Sequence, residues 1–227
     1  MELKHIDIDR STTVDKVVAV LRRAMFDGDL KPGVQLREVT LSQTFAVSRG
    51  TIREALRVLT ADGLAVHTPN RGVTVRKLTI DEIDDIFKAR QVLETEAARA
   101  AVSCSNADLQ RLEEAMADYA AAAATDDPLR AADAHVNYHA AMVGMVGSRR
   151  LEEMERSLMR DLQLAIGRID KDRDDLPSEI RKHRNLTRLL TTRNVDEAIR
   201  CIENELSHAK SFVIMHSNVT AEPGPDE

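Results

Sequence analysis

The chain has 227 residues, enough for one large or two modest domains. Charged residues make up 31% and apolar residues 43%, which excludes a disordered chain, and only 3% are aromatic, which favours packed aliphatic helices. The net charge of −6 is uneven, because residues 1–77 carry 13 basic against 9 acidic side chains and residues 78–227 carry 19 against 29. A basic first part on an acidic remainder suits a nucleic-acid-binding module joined to a regulatory body.

No segment has the features of a membrane span or a signal peptide. The longest apolar run, Tyr119–Ala124, is far too short to cross a bilayer, and the start MELKHIDIDR lacks an apolar core. Cys104 and Cys201 have neither CxxC nor zinc-finger spacing, so we interpret both as buried apolar residues. We therefore expect a cytoplasmic protein with no membrane partner.

Residues 1–77 are predicted to form a winged helix-turn-helix domain. Hydroxyl caps, apolar residues at helical spacing and turn residues indicate three helices, and two alternating stretches indicate a β-hairpin. The predicted helices cover about residues 14–28, 38–45 and 49–62, and the strands cover 64–67 and 73–76. Helix, short helix, turn, helix and hairpin is the order of a winged helix-turn-helix.

The remainder of the chain is predicted to be entirely helical. A capping box at Thr79–Glu82 begins the first of six helices. They lie near residues 79–103, 106–124, 128–146, 149–169, 177–192 and 195–217. We assign residues 78–220 to an all-helical bundle, and expect the polar, Pro-containing tail at 221–227 to be disordered. The fold class is therefore mostly α, with a winged helix-turn-helix followed by an all-α six-helix bundle.

The third predicted helix has an apolar face and an arginine face. Its apolar face is formed by Ile52, Ala55, Leu56 and Leu59. Arg49, Arg53 and Arg57 recur every four residues on the other side, and only Glu54 offers partial relief of their repulsion. The alternative is a solvated face that these arginines form with Glu54 and Asp62. The neighbouring short helix and hairpin instead favour DNA, whose phosphates and guanine edges bind arginine.

The stretch DGDLKPGVQLREVTLSQTFAVSRGTIREALRVLTADGLAVHTPNRGVTV resembles the winged helix-turn-helix of the GntR family, and the resemblance covers about residues 10–77. It implies that double-stranded operator DNA is the partner and that Arg49 and Arg53 lead the contacts. The other implied contacts are Ser48, Gly50, Thr51, Arg71 and Gly72. Val39 stands where family members often carry a polar or basic residue, so a contact from the short helix is in question, with Arg37 as a substitute.

Four histidines of the helical half are candidate metal ligands. His135 and His139 are four residues apart and share a helix face, while His183 and His208 lie on the last two predicted helices. A bundle can bring such imidazoles together around a divalent transition metal. The alternative for each is an ordinary structural or exposed histidine.

The helical half resembles the FCD ligand-binding domain of the FadR subfamily, in the stretches FKARQVLETEAARAA, HVNYHAAMVGMVGSRRL, EIRKHRNLTRLL and DEAIRCIENELSHAKSF. The resemblance implies zinc or nickel held by one Asp and three His. The three His fall on His139, His183 and His208, and the Asp position holds His135. Either four His bind the metal, or three do and His135 is displaced; Asp133 faces elsewhere on the helix.

Arg90, in the stretch ARQVLE, is either a structural salt bridge with Glu94 or a clamp for a carboxylate effector. The family resemblance favours the clamp. The sequence therefore predicts a homodimeric, non-enzymatic repressor that a small organic acid releases from DNA. The alternatives are a metal-dependent hydrolase that uses the histidines, although no HEXXH run exists, and a protein adaptor whose winged domain does not touch DNA.

Overall fold

The computed structural model describes residues 12–125, 127–171 and 176–216, and the predicted tail at 221–227 lies outside them. The described helices are α1 (Thr13–Phe26), α2 (Glu38–Phe45), α3 (Arg49–Ala61), α4 (Ile80–Ala100), α5 (Asn106–Ala123), α6 (Pro128–Gly144), α7 (Arg149–Lys171), α8 (Leu176–Thr191) and α9 (Val195–His216). Strands β1 (Ala65–Thr68) and β2 (Gly72–Val75) complete the described elements. The mostly helical fold class is confirmed. None of the described helices combines the length and apolarity that a membrane span requires.

The chain divides into two compact units, Met1–Arg76 and Lys77–Glu227. In the first unit, Ser48 caps α3 by accepting a hydrogen bond from the Thr51 N–H at 3.0 Å. The predicted core stripe of α3 is buried, and α1 and β1 pack on this helix. Gly63 follows it with φ of 75°, a left-handed conformation that glycine adopts without strain.

The wing is an antiparallel hairpin in which Ala65 pairs with Val75 and Thr68 with Gly72. Each strand is shifted by one residue from its predicted position. A third segment adds to the hairpin, since the Leu36 N–H donates to the Val73 carbonyl at 2.8 Å. The loop between the strands turns through positive φ angles, 64° at Asn70 and 86° at Gly72.

The second unit is a bundle of the six predicted helices, with ends within about three residues of the expected positions. Helix α6 packs on α4, α5 and α7, and α8 packs on α5 and α9, so side chains of α6 and α8 can meet in the interior. Residues from all six helices share one apolar core, which includes Leu93, Leu112, Met142, Leu162, Leu186 and Ile202. Cys104 and Cys201 are only half-buried, contrary to expectation.

Candidate metal centre and DNA-reading surface

Three of the four candidate histidines converge in the second unit. His135 and His139 project from one face of α6, and His183 projects from α8. The Nε2 atom of His135 lies 3.0 Å from that of His139 and 3.1 Å from that of His183, and the remaining pair is 3.3 Å apart. Three ring nitrogens therefore surround a single point, and His139 and His183 are both buried.

Neighbouring groups favour the ring tautomers that a metal requires. The Nδ1 atom of His183 lies 2.8 Å from the Glu179 carbonyl oxygen, which can only accept, so Nδ1 carries the proton and Nε2 a lone pair. Glu94 Oε1 lies 3.3 Å from Nδ1 of His139 and can accept a proton there in the same way. Two lone pairs then point at the space between the three rings, as those of two ligands of one metal ion would.

The spacing of the three nitrogens fits a first-row divalent metal. A metal–nitrogen bond of about 2.0–2.1 Å with angles between square and tetrahedral separates neighbouring nitrogens by roughly 2.9–3.4 Å. The observed separations of 3.0–3.3 Å lie in that range. Burial and the neighbouring His139 lower the pKa of His183 to about 4, and burial also lowers the pKa of His139. Both rings are thus neutral near pH 7, as metal ligands must be.

His208, the fourth candidate, does not join the three imidazoles. Helix α9 buries the stripe that contains Ile202, and His208 lies six residues further on, roughly 120° around the helix. It is exposed and lines a cleft between α8 and α9. Glu205, closer to the buried stripe, lies 3.3 Å from the Cys201 sulfur, and burial raises the pKa of this carboxyl to about 7.

Arg90 is buried and already paired with two carboxylates. Its Nη2 lies 2.6 Å from Glu94 Oε1, and its Nε lies 3.2 Å from Glu155 Oε1. The salt bridge with Glu94, one of the two interpretations offered by the sequence, is present, and the clamp for a carboxylate effector stays a prediction. Glu155 had no sequence signal that tied it to Arg90, because 65 residues separate them.

The two carboxylates differ in charge. Burial and the adjacent Glu94 raise the pKa of Glu155 to about 8. Burial also acts to raise the pKa of Glu94, but Arg90 and His139 overcome it and lower that pKa to about 2. One guanidinium therefore balances one carboxylate, and Glu155 stands beside them as a neutral acid. Its Oε2 atom has no hydrogen-bond partner among the described residues.

Two tyrosines, which the sequence did not single out, frame the imidazoles. The ring of Tyr119 stacks on His135 with centroids 4.6 Å apart and planes 13° apart. Tyr138 donates to the His183 carbonyl at 3.3 Å and accepts from the Thr187 hydroxyl at 3.2 Å. Both contacts restrict the orientation of the helices and rings around the centre. Asp133 instead accepts from Gln163 and faces away, as expected.

In the first unit, the three arginines of α3 are exposed on the side opposite its buried stripe. Ser48 and Thr51 lie at the start of this helix with their hydroxyl oxygens 2.9 Å apart. Gly50 is exposed between them, and a Cβ there would meet only the Ser48 hydroxyl, at 3.6 Å. The helix therefore presents arginines, a hydroxyl pair and bare backbone on one accessible surface.

Two of these arginines have acidic partners. Arg53 pairs with Glu38 of α2 through two contacts, Nε to Oε1 at 3.1 Å and Nη2 to Oε2 at 2.9 Å. Arg57 makes a single contact with Glu54, at 3.2 Å. The sequence had not indicated any role for Glu38.

At Val39 of the short helix the sequence left a DNA contact in question, and the candidate substitute, Arg37, is linked to the wing through Gln35. Val39 is 43% exposed, and it supplies no polar group. Arg37 donates from Nε to the Gln35 side-chain oxygen at 3.1 Å. Gln35 in turn donates to the Arg71 carbonyl at 2.7 Å, which fixes the wing loop that carries the exposed Arg71 and Gly72.

Both units match known protein families. Residues 13–75 match the model described as bacterial regulatory proteins, gntR family, and residues 85–208 match the FCD domain. The Nta operon transcriptional regulator of Aminobacter aminovorans is 29% identical over 181 residues, which are 78% of this chain and 82% of that protein.

Other similarities cover part of the chain or most of it. The gluconate operon transcriptional repressor of Bacillus licheniformis is 35% identical over 88 residues, 39% of this chain and 36% of that protein. The chain thus spans about a third of the length of several curated relatives that it matches. A solved structure assigned as a transcriptional regulator GntR from Rhodococcus sp. RHA1 has a TM-score of 0.72 and 26% identity, and the alignment covers 90% of this chain and 99% of that one.

Proposed function

Since this chain belongs to the GntR family of bacterial transcription regulators and carries an FCD domain, we propose that it is a repressor that a metal-dependent small-molecule signal releases from operator DNA. Its relatives and its fold are those of transcription regulators, which are not enzymes, and nothing in them favours the hydrolase alternative. The relatives whose names describe repression include the gluconate operon repressor and RspR of Escherichia coli. The protein would act in the cytoplasm, as a homodimer whose two winged units bind a pseudo-palindromic operator.

The observation that carries the DNA-binding part of the proposal is the exposed arginine face of α3. Phosphate contacts from Ser48, Thr51 and the backbone at Gly50 would position the helix N-terminus on the duplex. Arg49 and Arg53 would reach base edges, each good paired contact adding about 1–3 kcal/mol of discrimination. The wing at Arg71 and Gly72 would contact the neighbouring groove. Phosphate neutralisation would supply most of the affinity.

The metal part of the proposal rests on His135, His139 and His183. Their three converging Nε2 atoms would hold zinc or nickel, and the bound ion would supply a positive charge and open coordination positions for an anionic ligand. Glu94 would hold the proton on the far nitrogen of His139. His208 would require a rotation of α9 to take part, so we assign the site to the other three.

The effector part of the proposal places a small organic acid beside the metal and Arg90. The Nε and Nη2 atoms of Arg90 already contact Glu155 and Glu94. Glu155 is the weaker partner because it is a neutral acid, so an incoming carboxylate would take its place beside the guanidinium. The effector would shift operator affinity only as far as it prefers one state of the dimer.

The test begins with a pull-down of genomic fragments by the full-length protein, which identifies the operator. Arg49→Ala and Arg53→Ala should then each weaken operator binding by about 1–3 kcal/mol and relax the base preference at one position of each half-site, and removal of the positive charge should also make binding less sensitive to salt. Arg99→Ala is the matched control, because Arg99 is an exposed helical arginine of the other unit. Operator affinity and salt dependence that matched the control would refute the DNA-binding role of this face.

A further inference from the structure

Arg53 and Glu38 form a side-on, two-contact ion pair between two helices of the first unit. The Nε and Nη2 atoms of Arg53 face the two carboxylate oxygens of Glu38, at 3.1 and 2.9 Å. Fifteen residues separate the partners, so the pair links the short helix α2 to α3. The guanidinium lowers the pKa of the Glu38 carboxyl, which is therefore ionised under ordinary conditions.

This pairing leaves one edge of the guanidinium available. A guanidinium has five N–H donors, and the pair with Glu38 engages one on Nε and one on Nη2. The remaining donors, on Nη1 and on the outer side of Nη2, form a second parallel fork. That fork matches the O6 and N7 acceptors of guanine in the major groove. An arginine held in this way has its reading edge fixed before it meets DNA.

Stability alone does not account for the pair. The side chain of Arg53 is 57% exposed and that of Glu38 is 35% exposed, and ion pairs so accessible to water contribute little to folding. A carboxylate on the surface that faces phosphates also opposes DNA binding in general. Orientation of Arg53 is the effect for which the geometry is suited.

We propose that Glu38 is a positioning residue for DNA specificity, which holds Arg53 side-on so that its free fork reads one guanine in each operator half-site. The proposal rests on the DNA-binding function proposed above. Val39, the next residue of α2, offers no polar group of its own, so α2 would act on specificity through Arg53 and not by contacting a base.

Glu54 provides a matched control for the loss of a negative charge. It is exposed on α3 and makes one contact with Arg57, three residues away on the same helix. Glu38→Gln and Glu54→Gln therefore remove the same charge from the same unit, but only Glu38→Gln removes a two-contact brace. Thermal unfolding of both variants should match that of the parent protein.

The experiment measures affinity of the full-length protein for its selected operator, for operators with each base pair changed in turn, and for scrambled DNA. For Glu38→Gln we expect about a 10-fold loss of discrimination at one G·C pair per half-site. Affinity for scrambled DNA should stay level or rise, because a repelling charge is gone. Glu54→Gln should keep the discrimination of the parent, and equal behaviour of the two variants would overturn the proposal.

A double-mutant cycle separates positioning from direct contact. If Glu38 acts through Arg53, adding Glu38→Gln to Arg53→Ala should cause no further loss of discrimination. A further loss in that background would mean that Glu38 itself contacts a base, and the proposal would be wrong. If the parent protein selects no DNA sequence at all, the proposed DNA-binding function is wrong. If the parent discriminates normally and Glu38→Gln discriminates equally well, only the positioning role of Glu38 is wrong.

Discussion

The two ring nitrogens of His139 face chemically different surroundings. Nε2 points at the other two imidazoles, and Nδ1 lies 3.3 Å from both Glu94 Oε1 and Arg90 Nη2. With Nε2 engaged by a metal, Nδ1 carries the proton and donates to Glu94, so Arg90 serves the carboxylate and not the ring. A carboxylate behind a ligating histidine fixes its tautomer and strengthens its basicity.

Glu94→Gln should therefore weaken metal binding by about 10- to 100-fold, because the amide oxygen is a weaker acceptor for the hydrogen bond from His139 and no longer neutralises Arg90. Competition against a chelating dye for zinc measures the change. Glu96→Gln on the same helix is the control, since Glu96 is exposed and pairs with Arg99 at 3.2 Å. Equal zinc affinities in the two variants would rule out the role of Glu94.

Glu155 should make the metal-free protein less stable as the pH rises. Its pKa is about 8 in the folded protein and near 4.5 when unfolded, so between these values the unfolded chain has lost a proton that the folded chain keeps. The stabilising contribution is complete below pH 4.5 and is lost through pH 8. Glu155→Gln should thus gain stability relative to the parent, by about 1 kcal/mol per pH unit between pH 6 and 8. Urea unfolding at both pH values tests this, and a constant difference contradicts it.

At the scale of elements, local sequence patterns were sufficient to predict where the helices begin and end. Helix α2 matched its predicted bounds, and α3 was defined by the Ser48 cap and by Gly63. The side chains that complete the sites were harder to predict. Glu38 and Glu155 belong to other helices than the arginines they contact, and a single sequence holds no record of which helix faces meet. Their roles emerge only when the helices pack.

Helix α9 shows where sequence reasoning had the means to do better. The family resemblance pointed to His208, but the apolar stripe through Ala198, Ile202 and Leu206 already marks the inward face. His208 lies well outside that stripe, and Glu205 lies at its edge. The apolar periodicity of α9 was the better guide to which of its side chains point inward, while the family resemblance was the better guide to the chemistry of the site.

The capping box at the start of α4 should contribute measurably to the second unit. Thr79 accepts from the Glu82 N–H at 3.1 Å, and Glu82 accepts from the Thr79 N–H at 2.8 Å. Thr79→Ala should lower the free energy of unfolding by about 1 kcal/mol, because it leaves a helix-end donor without its partner. Ser207→Ala, at an exposed position within α9, is the control. A denaturation midpoint that falls no further than in the control would contradict the expectation.

For the whole molecule, the division into two compact units means that metal should stabilise only one of them. The imidazoles belong entirely to the unit Lys77–Glu227, and the first unit has its own core around α3. Adding metal at 100 times its dissociation constant should raise the stability of the second unit by about 2.7 kcal/mol. Removal by a chelator should reverse the rise, and calorimetry of the full-length protein measures it.

Histidine variants connect that stabilisation to the site. His139→Ala should abolish the response to metal, whereas His208→Ala should keep it, because His208 is exposed and apart from the three imidazoles. Both variants remove one imidazole, so they control for nonspecific metal binding. Loss of the response in His208→Ala would show that α9 rearranges to bring His208 to the ion.

The aromatic content of the chain gives the centre its own optical signal. The protein has no tryptophan and two tyrosines, Tyr119 and Tyr138. One stacks on His135, and the other has its ring centroid 5.2 Å from those of both His139 and His183. All tyrosine fluorescence of the unlabelled protein therefore originates beside the imidazoles. Paramagnetic nickel should quench this emission while zinc leaves it bright, so the protein itself can report which ion it has taken up.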